Sequence, residues 1–136
     1  MQKWEEHEID NWNIEELCNT LHHYTRKMGD GPEAVEVYNA NVFICEFNNI
    51  EQMLNNWEKI NYLIAFRIQS KISKDIEKSN FYLCLFVENR LDEEQKSKIQ
   101  SDSFCAKKYV FDNVTSKDYV NTIERKIFKM EMLNDS

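Results

Sequence analysis

Three short stretches, 42–47 (VFICEF), 81–87 (FYLCLFV) and 104–111 (FCAKKYVF), carry apolar residues at successive rather than alternating positions. An extended chain with that pattern is apolar on both faces, as in strands covered on both sides. Between the first two, Ile50, Met53, Trp57, Ile60, Ile64 and Ile68 recur at helical spacing and form one stripe. Asn48 or Asn49 is placed to cap that helix, with Glu51 in its first turn facing the positive end of the helix dipole. Tyr62 and Phe66 fall on the opposite side, near Asn55, Lys59 and Gln69. A helix resting only on a sheet has no use for aromatics there, so either a second layer, such as the first helix, or a partner protein covers them.

Upstream, residues 1–10 are polar apart from Trp4 and Ile9 and read as an arm or a frayed first turn. The spacing of Ile14, Leu17, Cys18, Leu21, Thr25 and Met28 predicts a helix starting near Asn11 or Asn13 and stopped by Gly29-Asp30-Gly31-Pro32. Val35, Val37 and Tyr38 lead into the first strand, with a bulge or corner at residues 39–41. Residues 70–80 read as a charged connection and 91–100 as a short exposed helix. Lys107 and Lys108 are adjacent and so point to opposite faces of a strand, which favours a sheet edge. Ser116 is placed to cap a last helix whose buried stripe is Tyr119, Val120, Ile123, Ile127, Met130 and Leu133. Phe128 and Met132 lie off that stripe as a second apolar patch. The sum is a small single α+β domain over residues 1–136, with about three strands in a mixed or antiparallel sheet and three to four helices.

Composition narrows the functional classes. Two Gly and one Pro among 136 residues leave little material for tight turns or a glycine-built phosphate loop. The four cysteines form no C-x-x-C pair, the N-terminus is acidic rather than secretory, and no apolar run approaches the ~18 residues of a membrane span. A reduced, cytoplasmic setting without membrane contact is the expectation. The net charge of −7 repels free nucleic acid, so DNA is reached only through a local basic patch or a basic partner. Arg67, Lys71, Lys74 and Lys78 make such a strip, interleaved with Asp75 and Glu77; Arg67, Lys71 and Lys74 are its candidate phosphate contacts.

Candidate chemistry is sparse. On a helix, His22 and His23 diverge by ~100° and cannot jointly hold one ion, and Cys18 with His22 supplies only two ligands. Cys45, Cys84 and Cys105 fall one on each expected strand and read as small buried hydrophobes. Glu46 and Glu88 sit at the C-terminal ends of two strands, with Arg90 and Lys107 near them in the pattern. Metal-dependent nucleases place carboxylates this way, although strand ends also collect solvated charge. No catalytic, cofactor or metal residue is assigned.

The stretch 42–111 combines a strand ending CEF, Asn48-Asn49-Ile50-Glu51, a helix carrying Trp57-Glu58-Lys59-Ile60, the strand FYLCLFVE, a segment from Glu94 to Ile99, and Asp102-Ser103-Phe104-Cys105-Ala106-Lys107-Lys108-Tyr109-Val110. This resembles the small middle component of bacterial three-component ATPase defence operons of the Lamassu-like group. The resemblance implies a non-enzymatic accessory or adaptor subunit that bridges an SMC-like ABC ATPase and a nuclease effector in an anti-phage complex. DNA would then be met only through the complex. Tyr62, Phe66, Phe128 and Met132 become the partner-interface candidates. Aspartate at Tyr62 or Phe128 is expected to leave the fold intact while removing the partner. The alternatives are a small metal-dependent nuclease using Glu46 and Glu88, and a protein-binding inhibitor from a phage or mobile element.

Overall fold

The computed structural model describes residues 3–29 and 36–128. Its centre is one mixed five-stranded sheet in the order β1-β2-β3-β4-β5, formed by β1 (Trp4–His7), β2 (Thr20–Met28), β3 (Tyr38–Glu46), β4 (Phe81–Phe86) and β5 (Lys107–Phe111). β1, β2 and β3 are antiparallel neighbours; β3, β4 and β5 run parallel. Parallel strands need crossovers, and the two present contain helices α1 (Ile50–Arg67) and α3 (Glu93–Gln100). The connection after α1 carries a 3₁₀ turn (Gln69–Lys71) and the short α2 (Asp75–Lys78), and α4 (Tyr119–Ile123) follows β5. The α+β expectation is met, with five strands instead of about three.

Side chains alternate across the sheet into two cores. Phe43, Cys45, Phe47, Phe81, Leu83, Leu85 and Val110 face Met53, Trp57, Ile60 and Ile64 of α1 and Ile99 of α3. Val42, Ile44, Tyr82, Cys84, Phe86 and Phe111 face Ile123, Ile127 and Phe128. Covering both faces is why the parallel strands read as continuous apolar runs. The α1 stripe is as expected, and the cap is Asn49, whose side chain accepts from the Gln52 N–H (2.8 Å) while the Gln52 side chain accepts from the Asn48 N–H (2.7 Å). β5 lies at the edge, also as expected.

Several expectations are corrected. The first helix does not exist: residues 20–28 are a strand, and Leu21 and Met28 pack into opposite cores. TLHHYT is rich in β-branched and aromatic residues, and the buried positions of β2 include the polar His23 and Arg26, which hide its alternation. Asn11 and Asn13 are not caps; both hold left-handed backbone (φ 61° and 51°), which asparagine tolerates better than most residues. Residues 4–7 are no arm, since β1 pairs in register with β2, Trp4 opposite Arg26 and His7 opposite His23.

Another correction concerns Phe128. After α4 the chain makes a π turn (Glu124–Phe128). One extra residue per turn brings Phe128 beneath Ile123, so the ring is 1 % exposed and meets Trp4 and Tyr82 edge-on at 5.8 and 5.2 Å. It belongs to the core and not to an interface. Met132, and with it Met130 and Leu133 of the expected stripe, lies outside the described residues. The structure also places the start of the last helix at Asp118 and not Ser116; the Ser116 hydroxyl accepts from the Asp118 N–H.

Candidate functional site

The outer face of α1 is where the fold leaves large aromatics in water. Tyr62 is 51 % and Phe66 72 % exposed, and they stand one turn apart. Beside them stands Phe104, 49 % exposed, its ring centroid 5.1 Å from that of Tyr62. Phe104 was expected to open a strand. Instead β5 begins at Lys107, and residues 102–106 form a loop that carries Phe104 up against α1.

That loop is built around one cation. The Lys108 side chain is 0 % exposed, and its Nζ donates to Asp102 Oδ1 (2.6 Å), the Asp102 carbonyl (3.1 Å) and the Phe104 carbonyl (2.5 Å). Asn61, buried on α1, donates to the same Phe104 carbonyl (2.9 Å), and the Phe104 N–H donates back to Asp102 Oδ1 (3.0 Å). Lys108 holds the Asp102 carboxyl below its ordinary pKa, against the opposing effect of burial. Cys105 completes the loop at φ 62°, a backbone state that costs a non-glycine residue about 1 kcal/mol. Phe104 is thus held in place, with its ring turned to solvent. The sequence signal for it was Asp102 two residues ahead, the pattern of an Asx turn.

The basic strip begins at the C-terminal end of α1. Arg67 lies 5.8 Å from the centroid of the Trp12 ring, and Lys71 and Lys74 are exposed. Among the described residues no ion pair engages any of the three. Of the interleaved acids, Glu77 is occupied, accepting from the Asn39 N–H (2.9 Å).

The carboxylates at the strand ends form a separate feature. Glu46 and Glu88 do line one small polar cavity, of about 150 Å³, together with Asn19, Asn48, Lys117 and Tyr119. Arg90 and Lys107 are not in it; Lys107 begins β5, opposite Tyr82, at the other end of the parallel strands. Glu46 Oε1 accepts from Asn19 Nδ2 (2.5 Å), and Oε2 accepts from Lys117 Nζ and the Tyr119 hydroxyl. Burial pushes the Glu46 carboxyl up, but these three donors outweigh it and hold it below its usual value. Burial and the neighbouring carboxylate push the Tyr119 hydroxyl up to about 12. Glu46 therefore ties β3 to the 114–119 segment and has little acceptor capacity left for a metal.

Other candidates scatter. His22 is at the surface beside Glu6 (3.1 Å), while His23 is buried on the opposite face, stacked on Phe43 at 4.4 Å and donating from Nε2 to Asn41 Oδ1 (2.8 Å). The two histidines diverge as strand neighbours, not as helix neighbours. Cys45 and Cys84 face opposite cores, and Cys18, a free thiol like both of them, shares the core of Cys45. Among the described residues, no three His, Cys, Asp or Glu side chains gather as metal ligands.

Comparison with known proteins places this geometry in a family. Neither the curated proteins nor the solved structures gave a match. The family model of the ABC-three component (ABC-3C) system Middle Component 1 matches residues 41–135, from β3 through α1, β4, α3, β5 and α4, and leaves only β1, β2 and the segments around them outside. The match takes in the whole of α1 and the loop that presents Phe104, and the chain belongs to the ABC-3C middle component 1 family.

Proposed function

We propose that this chain is a non-catalytic adaptor that holds together the other two components of its system, an SMC-like ABC ATPase and a nuclease effector, in a cytoplasmic anti-phage complex of Lamassu-like organisation. The observation that carries the reading is the exposed aromatic trio Tyr62, Phe66 and Phe104. Tyr62 and Phe66 sit on a helix whose inner stripe is already satisfied by the sheet, with Phe104 beside them on a loop, inside a family named for the middle part of a three-part assembly. Aromatics are enriched at the centres of protein interfaces and unfavourable on a surface that stays wet. The partner ATPase would supply most contacts to DNA, which reconciles a net charge of −7 with a DNA-directed complex. No described helix is long and apolar enough to cross a membrane.

Co-expression of this chain with the ATPase and effector encoded beside it tests the reading. The expected result is a stable complex containing all three. Recovery of this chain alone, with the other two assembling without it, rejects the adaptor role. The rival nuclease reading is tested by Glu88→Ala. Glu46 is unsuitable for that purpose, because its three internal bonds make it part of the fold.

A further inference from the structure

We propose that the outer edge of β1 takes up an extended, basic segment of another protein as a further strand of the sheet. The inference stands on the sheet edge, in a part of the chain outside the family match, and does not depend on the adaptor reading.

Backbone direction comes first. The Lys27 N–H donates to the Lys3 carbonyl (2.8 Å), so in the antiparallel pair of β1 and β2 the N–H and C=O groups of Lys3, Glu5 and His7 turn to β2. Those of Trp4 and Glu6 therefore turn outward, where β1 has no neighbouring strand among the described residues. Each residue offers one donor and one acceptor, which together make the template for a further strand.

The opposite edge of the sheet is guarded. On β5 the Phe111 carbonyl accepts from the Val87 N–H on the β4 side, which leaves Lys108 and Val110 facing outward. The Val110 N–H is already taken by the side chain of Gln100 on α3 (2.9 Å). Nothing comparable is bonded to the backbone of Trp4 or Glu6 among the described residues.

Charge names the occupant. Glu5, Glu6, Glu8 and Asp10 are exposed along and just beyond β1, and Lys3 is the one lysine or arginine within residues 3–10. Of those four carboxylates only Glu6 has an ionic partner among the described residues, His22 at 3.1 Å. The net charge of −7 has the same sign, so local and overall charge both favour a basic segment. A second copy is opposed: pairing Trp4 of one chain with Glu6 of the other sets the two Glu5 carboxylates directly opposite, and like charges there are destabilising. Nucleic acid is repelled by the same carboxylates. Charge on a short edge strand discourages chance pairing, and a strand with Lys or Arg opposite Glu5 and Glu6 turns that repulsion into attraction. Main-chain bonds then hold the segment and the flanking carboxylates select it.

The probe is a heptapeptide of alternating Lys and Thr, added at millimolar concentration to the full chain, with amide hydrogen exchange read at Trp4 and Glu6 by NMR. At least threefold slower exchange at both amides is expected. A Glu-for-Lys analogue should give no slowing. Nor should the Lys peptide methylated at every backbone nitrogen, which keeps the charge and loses the donors. Glu5→Lys with Glu6→Lys should reverse the preference, so that the acidic analogue slows exchange and the basic one does not. Both side chains are exposed, so this variant is expected to keep the parent's urea midpoint, and the three peptides on the parent chain test the proposal without it. No slowing with the Lys–Thr peptide, equal slowing with its methylated form, or protection that rises with the chain's own concentration in the absence of peptide overturns the inference.

Discussion

Arg26 is 4 % exposed on β2 and reaches across the sheet face to Glu124 in the π turn, a contact between residues far apart in the chain. Its Nε and Nη2 each donate to the carboxylate at 2.8 Å, Trp4 Nε1 donates to the same carboxylate at 2.8 Å, and the guanidinium lies 4.4 Å over the Phe128 ring. Glu124→Leu strands a buried cation, and removing one partner of a buried pair costs ~3–5 kcal/mol. The Glu124 side chain keeps 26 % of its surface exposed, so water can enter and the lower end, ~3 kcal/mol, is expected. Replacing both partners (Arg26→Met with Glu124→Leu) leaves no orphaned charge and should cost ~1 kcal/mol, less than the single change. Urea unfolding followed by the fluorescence of the three tryptophans gives both values. The pH dependence supplies a second check. Burial alone would raise the Glu124 pKa, but Arg26 and Trp4 hold it below its ordinary value. Its stabilisation is therefore present above the unfolded pKa and lost as pH falls through the folded one, and Glu124→Leu should lack that acid-range loss. Additive single and double mutants, or a cost under ~1 kcal/mol for Glu124→Leu, would refute the clamp.

Three further outcomes follow from the same structure. Phe128→Ala should cost ~3–5 kcal/mol in the same unfolding assay, because it empties a core position. Lys108→Met should cost ~2–4 kcal/mol by removing the donor to two carbonyls and one carboxylate, with increased hydrogen exchange confined to residues 102–106. His23 has its pKa lowered by burial, with His7 adding to the effect and the bond to Asn41 opposing it. Its contribution is complete above the unfolded histidine pKa and is lost as pH drops through the folded value, so His23→Phe should flatten stability across the mildly acidic range.

Legibility in the sequence followed how each element is buried. The α1 stripe and the parallel strands were readable because apolar residues alone cover them. β1 and β2 were not, since His7, His23 and Arg26 occupy inward or half-buried positions that hydropathy scores as surface. Phe128 was misplaced because a fixed 100° step cannot anticipate a π turn. Of the proposed docking face, Tyr62 and Phe66 were visible as aromatics on the wrong side of a helix. Phe104 was not, because its exposure depends on an Asx turn and a buried lysine that only the fold brings together.

In the adaptor proposed above, the outer face of α1 serves another chain and not this one. The most direct measurement is Phe66→Asp, assayed for unfolding free energy in isolation and for recovery with the co-expressed components. Stability within about 0.5 kcal/mol of the parent, together with loss of the complex, is the predicted result. A variant that unfolds, or one that still assembles fully, would contradict the account.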